Sequence, residues 1–304
     1  MTVSSTPSVR KSGNIKPRLH GIRRFLTHQT LRRLIQTYFL LFIAVLVVRH
    51  SAAGEGSGTI ASAEAYCPLG GLETLWRYLS SGGRTIPHTH LSNLVMLVAV
   101  LVTGFLLRSA FCGWVCPLGF IQELVSSLSR FLQKRFVPLR KAMRQLREQS
   151  TGAQELDRVL RYFKYIVLLW VVGGAAYYGY MVFRNYDPWA ALINILEFHY
   201  SHGLMVLILT LVASFFIERP WCRYACPLGA ISSLIGKFSP TYLKRNGDNC
   251  TACKVCTKSC PMGLEVHTAE KITSADCITC LECVGACPRN GALEVKVGVP
   301  LAWR

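Results

Sequence analysis

Apolar residues gather in four runs, residues 34–48, 91–107, 162–183 and 203–217, in which polar positions are sparse. A bilayer's hydrocarbon core takes about 20 helical residues, with a range of roughly 17–25. The pattern therefore predicts four membrane-spanning helices rather than the half-polar helices of a soluble core. The first and fourth runs are short and need their flanks. Arg32 and Arg33 can snorkel to extend the first, and residues 197–200 or Glu218 and Arg219 frame the fourth.

Composition agrees with this reading and adds a sign. The chain of 304 residues is 51% hydrophobic and only 16% charged, yet 34 Lys+Arg against 16 Asp+Glu leave a net charge of +18. Soluble domains carry about 25% charged residues, so the balance argues against an ordinary soluble enzyme. The long apolar runs argue against a nucleic-acid module, and no nucleic-acid partner is expected. The positive charge is unevenly placed. Eight Lys and Arg and no acidic residue precede the first run, and ten basic residues from Arg130 to Lys164 separate the second and third. Residues 51–90 hold only Arg77 and Arg84, and residues 184–202 only Arg184. By the positive-inside rule both termini and the central loop face the cytoplasm of a multi-pass inner-membrane protein. Lys164 then lies near a cytoplasmic helix end, where it can snorkel. The first run lacks a small-residue cleavage pattern and reads as a retained span rather than a signal peptide.

The chain also repeats itself. Residues 101–130 align without gaps on 211–240, identical at eleven of thirty positions. Each copy ends a span, passes through an aromatic-Cys-x-x-x-Cys-Pro-Leu-Gly turn and continues as an amphipathic stretch. Two related hairpins place both turns at one cytoplasmic depth, near each other across a pseudo-two-fold axis. Cys112, Cys116, Cys222 and Cys226 thus supply four sulfurs, the number that an iron–sulfur cluster or a tetrahedral zinc takes. Packed structural cysteines, or a dithiol–disulfide pair in each turn, fit the same residues.

The carboxy-terminal region is more specific. Cys250-x-x-Cys253-x-x-Cys256-x-x-x-Cys260-Pro recurs 27 residues later as Cys277-x-x-Cys280-x-x-Cys283-x-x-x-Cys287-Pro. This is the spacing of bacterial two-cluster ferredoxins, in which the fourth cysteine of each run ligates the other cluster. It assigns one 4Fe–4S cluster to Cys250, Cys253, Cys256 and Cys287, and a second to Cys277, Cys280, Cys283 and Cys260. Zinc is the alternative for isolated Cys-x-x-Cys pairs, and the duplicated eight-cysteine pattern argues against it.

Taken together, the four spans, the CGWVCPLG and CRYACPLG turns and the double cluster motif resemble the membrane polyferredoxin family, the NapH-type and NosR-type quinol dehydrogenase membrane subunits. The resemblance runs from about residue 34 to the carboxy terminus, and it implies quinol oxidation with electron transfer to a protein redox partner. The chain lacks the large flavin-bearing region of the NosR type, and its first outer loop carries an additional CPLG sequence at Cys67.

Quinol oxidation releases protons, so imidazoles and carboxylates at the outer face are candidate acceptors. His88, His90, His199 and His202 lie in the outer loops with Glu73, Asp187 and Glu197. A haem between His90 and His202, or interfacial side chains without chemistry, are the alternatives. The expected fold is an all-α polytopic membrane protein with a small C-terminal α+β domain of the two-cluster ferredoxin type. Its parts are a basic cytoplasmic tail (1–33), a first membrane hairpin (34–130), a basic cytoplasmic loop (131–161), a second hairpin (162–240) and the ferredoxin domain (241–304). The expected function is electron exchange between membrane quinone and a reductase, dehydrogenase or soluble ferredoxin-like partner. An accessory protein for maturation or redox sensing of another enzyme is the second reading.

Overall fold

A computed structural model describes residues 19–53, 69–71, 75, 91–136, 138, 153–178, 182–193, 202–289 and 291–298. It is mostly helical. Helix α1 (Leu19–Ala53) is far longer than its apolar run. No proline falls between Pro17 and Pro68 to stop it, and the basic approach to the apolar run is helical as well. The first repeat continues as α2 (Leu91–Leu107), α3 (Ala110–Trp114) and α4 (Pro117–Arg135). The second comprises α5 (Ala153–Tyr178), a 3₁₀ turn (Val182–Tyr186), α6 (Pro188–Ile193), α7 (His202–Phe216), α8 (Pro220–Tyr224) and α9 (Pro227–Gly236).

Among the described residues two helical segments are long and apolar enough to cross a membrane, His28–Arg49 and Glu155–Tyr178. The apolar segments Asn93–Leu107 and His202–Phe216 are shorter, because each helix ends in a corner that sends the chain back. Arg108 (φ 58°) and Arg219 (φ 52°) take the left-handed conformation there, and α3 and α8 then re-enter the bundle.

The two halves pack crosswise, α4 on α7 and α9 on α2. Leu118 meets Leu207, while Ser126 Oγ and Ser129 Oγ donate to the carbonyls of Ser214 (2.8 Å) and Phe215 (2.7 Å). Residue numbers rise together along both helices, so they run parallel. Leu228 meets Val100 in the same way, and Gly104 lies beside Ile235. The Cys-Pro corners are therefore level with Leu207 and Val100, about 10–14 Å from the ends of α7 and α2 at 1.5 Å per residue. Each corner folds back alongside the apolar helix of the other half rather than lying beyond its end.

The carboxy-terminal unit carries a three-stranded antiparallel sheet, order β2-β1-β3, built from β1 (Thr241–Arg245), β2 (Lys271–Ile272) and β3 (Leu293–Val297). Leu243 pairs with Ile272 on one side and Val295 on the other. Two short helices, α10 (Val255–Lys258) and α11 (Glu282–Ala286), pack against each other. Leu243, Val266, Ile272 and Leu293 form its core with Cys256, Cys277 and Cys283.

This unit is fastened to the bundle by buried charges. Arg108 donates to the carbonyls of Thr241 (2.7 Å) and Ser274 (2.8 Å). Trp114 Nε1 donates to the Thr279 carbonyl (3.0 Å). Lys164, 1% exposed, pairs with Asp276 and donates to Ser233, and Arg32, 4% exposed, pairs with Glu123 and Glu282. Neither of these two cations snorkels, as the sequence led us to expect, because carboxylates from other elements lie within reach inside the fold.

Candidate iron–sulfur site

The two cysteine runs of the ferredoxin unit have the same backbone. Ala252 (φ 52°) and Lys254 (φ 60°) in the first correspond to Thr279 (φ 48°) and Leu281 (φ 59°) in the second, at the reported offset of 27 residues. Four left-handed residues that are not glycine are costly locally. Such a loop can turn its amides inward: backbone N–H groups of Met262, Thr279, Glu282 and Arg289 act on the sulfurs of Cys260, Cys277, Cys280 and Cys287, each two residues earlier. N–H donors of this kind favour thiolate and cluster sulfur.

The eight thiols fall into two groups. Cys250, Cys253, Cys256 and Cys287 line one cavity. Cys260, Cys277, Cys280 and Cys283 lie within electrostatic range of one another. Burial pushes the Cys280 thiol up to about 12 and the Cys283 thiol well above its ordinary value, with neighbouring thiols adding to the effect. A cationic centre that draws the protons off would therefore bind with proton release. The second group faces the bundle, where Cys112 packs with Met262, Ile278 and Cys280, and with Cys260 and Phe111 at its margin.

Inside the bundle the four repeat cysteines converge. The thiols of Cys112, Cys116, Cys222 and Cys226 all lie within one another's electrostatic range. Cys116 and Cys226 each precede the first turn of a helix with Pro at its start, and the backbone N–H of each donates to a carbonyl five residues back, Phe111 (3.1 Å) and Trp221 (2.9 Å). Gly229 N–H donates to Cys226 Sγ at 3.3 Å. Gly113 is required by the close approach of the Ile278 carbonyl oxygen, where no Cβ fits.

Polar atoms at this centre lack partners. Arg219 is 0% exposed, donates to the Cys112 carbonyl through Nη1 and to Glu123 through Nε, and its Nη2 is buried and unpaired. Trp189 Nε1 is also buried without a partner among the described residues. Trp189 packs in the cluster that includes Cys116, and Ser232 lies close to Cys112. Donors without acceptors around four thiols fit an anionic, sulfur-rich group. All twelve described cysteines are free. Among the described residues no three His, Cys, Asp or Glu side chains gather as for a single metal ion.

Asp187, grouped by sequence with the outer loops, is buried, accepts from the Trp189 N–H (3.0 Å) and lies within electrostatic range of Cys116. The sequence carries a signal for this arrangement that the first repeat obscures. Tyr66-Cys67-Pro68-Leu69-Gly70-Gly71-Leu72 matches Tyr186-Asp187-Pro188-Trp189-Ala190-Ala191-Leu192 at an offset of 120. Gly71 abuts Asn93 as Ala191 abuts Gly203, at the starts of α2 and α7. Of the outer histidines only His202 is described; it is exposed, and its ring lies tilted beside that of Tyr186 at 5.3 Å. His88, His90, His199, Glu73, Glu197 and Cys67 lie outside the described residues.

Family comparisons cover both cysteine systems. Residues 89–135 and 201–246 match a 4Fe-4S binding domain, and residues 242–288 match a 4Fe-4S dicluster domain. YccM of Escherichia coli, named for electron transport, is 32% identical over 79% of this chain, which spans 65% of YccM's length. An uncharacterized protein of Methanocaldococcus jannaschii is 33% identical over 64% of this chain and 75% of its own. The ferredoxin-type protein NapH of Escherichia coli is 28% identical over 66% and 68%. No solved structure matches. With its paired Cys-x-x-x-Cys-Pro corners and double cluster motif, the chain belongs to the polyferredoxin-type membrane family of 4Fe–4S electron-transport proteins.

Proposed function

We propose that the protein is a multi-pass inner-membrane carrier that exchanges electrons between quinol or quinone and a redox partner. In this reading Cys250, Cys253, Cys256 and Cys287 hold one 4Fe–4S cluster and Cys260, Cys277, Cys280 and Cys283 a second. Cys112, Cys116, Cys222 and Cys226 hold a third metal centre. Bound clusters supply one-electron transfer, and the protein supplies their spacing and environment. The observation that carries the reading is the packing of Cys112 against Cys260 and Cys280, which sets the bundle's cysteines directly under the ferredoxin unit.

Four spanning helices are supported by an inverted surface, and cytoplasmic termini by the Lys/Arg bias of the loops. Val45, Val98, Leu169 and Leu209, one from each of α1, α2, α5 and α7, are exposed, whereas Gln122, Ser126, Thr210 and Ser214 are buried. Apolar residues outside and polar residues inside suit lipid. Quinol oxidation releases two electrons and two protons, and His202 and Asp187, on the loop side of the bundle, are the described groups able to receive the protons.

Iron and acid-labile sulfide per purified chain test the cofactor count. About eight irons correspond to the ferredoxin motifs alone and about twelve to a third 4Fe–4S cluster, and substituting Cys112 and Cys222 by serine should remove only the difference. Adding quinol to the oxidised protein should raise an electron paramagnetic resonance signal from reduced clusters. Clusters that stay oxidised with quinol at every potential tried would sink the quinol reading.

A further inference from the structure

The ferredoxin unit is mounted with a polarity. Its inner cysteine set is walled off by Phe111, Cys112, Met262 and Ile278, so no external protein reaches it from that side. Its outer set opens at the surface. Thr251, Ala252, Cys253 and Lys254 are all exposed, and the cavity lined by Cys250, Cys253, Cys256 and Cys287 is also lined by Arg245, Lys254, His267 and Arg289 but by no carboxylate.

The cations at the junction with the bundle differ from those at the rim. Cations facing the bundle are committed to partners within the fold: Arg32 to Glu123 and Glu282, Lys164 to Asp276, Arg161 to Asp157 and Asp276, Arg219 to Glu123, and Arg223 to Asp157. Among the described residues no salt bridge engages Lys254, Lys258 or Arg289. Positive charge without a salt-bridge partner among the described residues is thus present where a cluster would approach solvent. A cationic rim with no internal anion steers a negatively charged surface toward itself and holds it at short range.

We infer that this rim is the docking port for an acidic redox protein, with Lys254 and Arg289 receiving its carboxylates above the outer cysteine set. The inference rests on the cluster assignment proposed above and not on quinol as the other substrate. Electrons would pass between the outer set and the docked protein, one at a time, with the inner set as the relay toward Cys112.

The test uses the full cluster-loaded chain in nanodiscs of zwitterionic lipid, reduced with dithionite so that no quinol step intervenes. Ferricyanide takes one electron to become ferrocyanide, and hexaammineruthenium(III) takes one to become the ruthenium(II) complex. Oxidation by the anionic ferricyanide should slow about tenfold as salt is raised, and K254E/R289E should slow it to a similar degree at low salt. The cationic ruthenium complex should respond in the opposite sense. A second readout needs no turnover: carbodiimide coupling to an acidic plant-type ferredoxin, mapped by mass spectrometry, should join that protein's carboxylates to Lys254 or Lys258. Rates indifferent to salt and to the double substitution, with iron content intact, would overturn the port. So would cross-links that map elsewhere, or loss of the charge effect when anionic lipid replaces the zwitterionic, which would turn the rim toward the membrane. Failure of quinol to reduce the clusters leaves all of these outcomes readable.

Discussion

Glu123 is the residue on which the bundle's buried charge turns. It lies between Arg32 and Arg219, two guanidinium groups that are 4% and 0% exposed. Burial pushes its carboxyl up, but the facing Arg219 and Arg32 more than offset this and hold it below the ordinary value. A depressed acid contributes stability that is complete above its unfolded pKa, about 4.3 for Glu, and is lost as pH falls through the folded value. Glu123→Gln should therefore remove an acid-side step from the stability profile. At neutral pH it should also cost about 3–5 kcal/mol, because it leaves the buried Arg219 without a carboxylate and Arg32 with Glu282 alone. Thermal unfolding in detergent from pH 3 to 8 measures both. The sequence shows Glu123, Arg32 and Arg219 as separate residues on separate runs. Nothing local says that they meet, since their contact depends on a corner at Arg219 in a conformation that arginine seldom takes. The left-handed residues of the cluster loops are hidden for the same reason. Ala252→Gly should relieve about 1 kcal/mol of backbone cost, whereas Ala252→Val should add about as much, read as opposite shifts of the unfolding midpoint.

At the scale of elements, the spacing of cysteines and the offset of 110 residues were legible, because a repeat and a ligand pattern are properties of the chain itself. The four apolar runs were legible in place but not in extent. Helix α1 starts fifteen residues before its apolar run, at Leu19 rather than 34, since helix continues wherever no breaker intervenes and a partner exists; α11 is that partner. The direction of the Cys-x-x-x-Cys-Pro turns was not legible, because an aromatic-Cys-x-x-x-Cys-Pro sequence serves a surface turn as well as a re-entrant one. What decides it is the close packing of α3 on the ferredoxin loop. Gly113→Ala tests that packing directly: its methyl would fall on the Ile278 carbonyl oxygen, and backbone rather than a flexible side chain must yield. The substitution should cost about 1–3 kcal/mol, as overpacking does. It should also lower iron per chain more than Gly173→Ala, a helical position with open space around it.

Over the whole molecule, two bodies of opposite character are joined by a few buried ion pairs alongside the apolar contact of Phe111 and Cys112 with Met262 and Ile278. Lys164 on α5 and Asp276 beside the inner cysteines form one of these, with Arg161 bound to the same carboxylate at 3.2 Å. A buried pair is weak evidence of stability, since desolvation offsets most of the attraction, but removing one partner strands the other. Asp276→Asn should therefore loosen the ferredoxin unit from the bundle by about 3–5 kcal/mol, seen as faster amide exchange along β2 and the Cys277–Cys283 loop. Lys164→Met alone leaves Asp276 with Arg161 and should cost less. Combining the two removes both members of the pair, so the double variant should be more stable than Asp276→Asn alone, a coupling that a double-mutant cycle reads directly. If the two effects simply add, Lys164 and Asp276 act independently, and the fastening of the unit falls instead to Arg108, Arg32 and the indole of Trp114, whose bonds to it are separate from this pair.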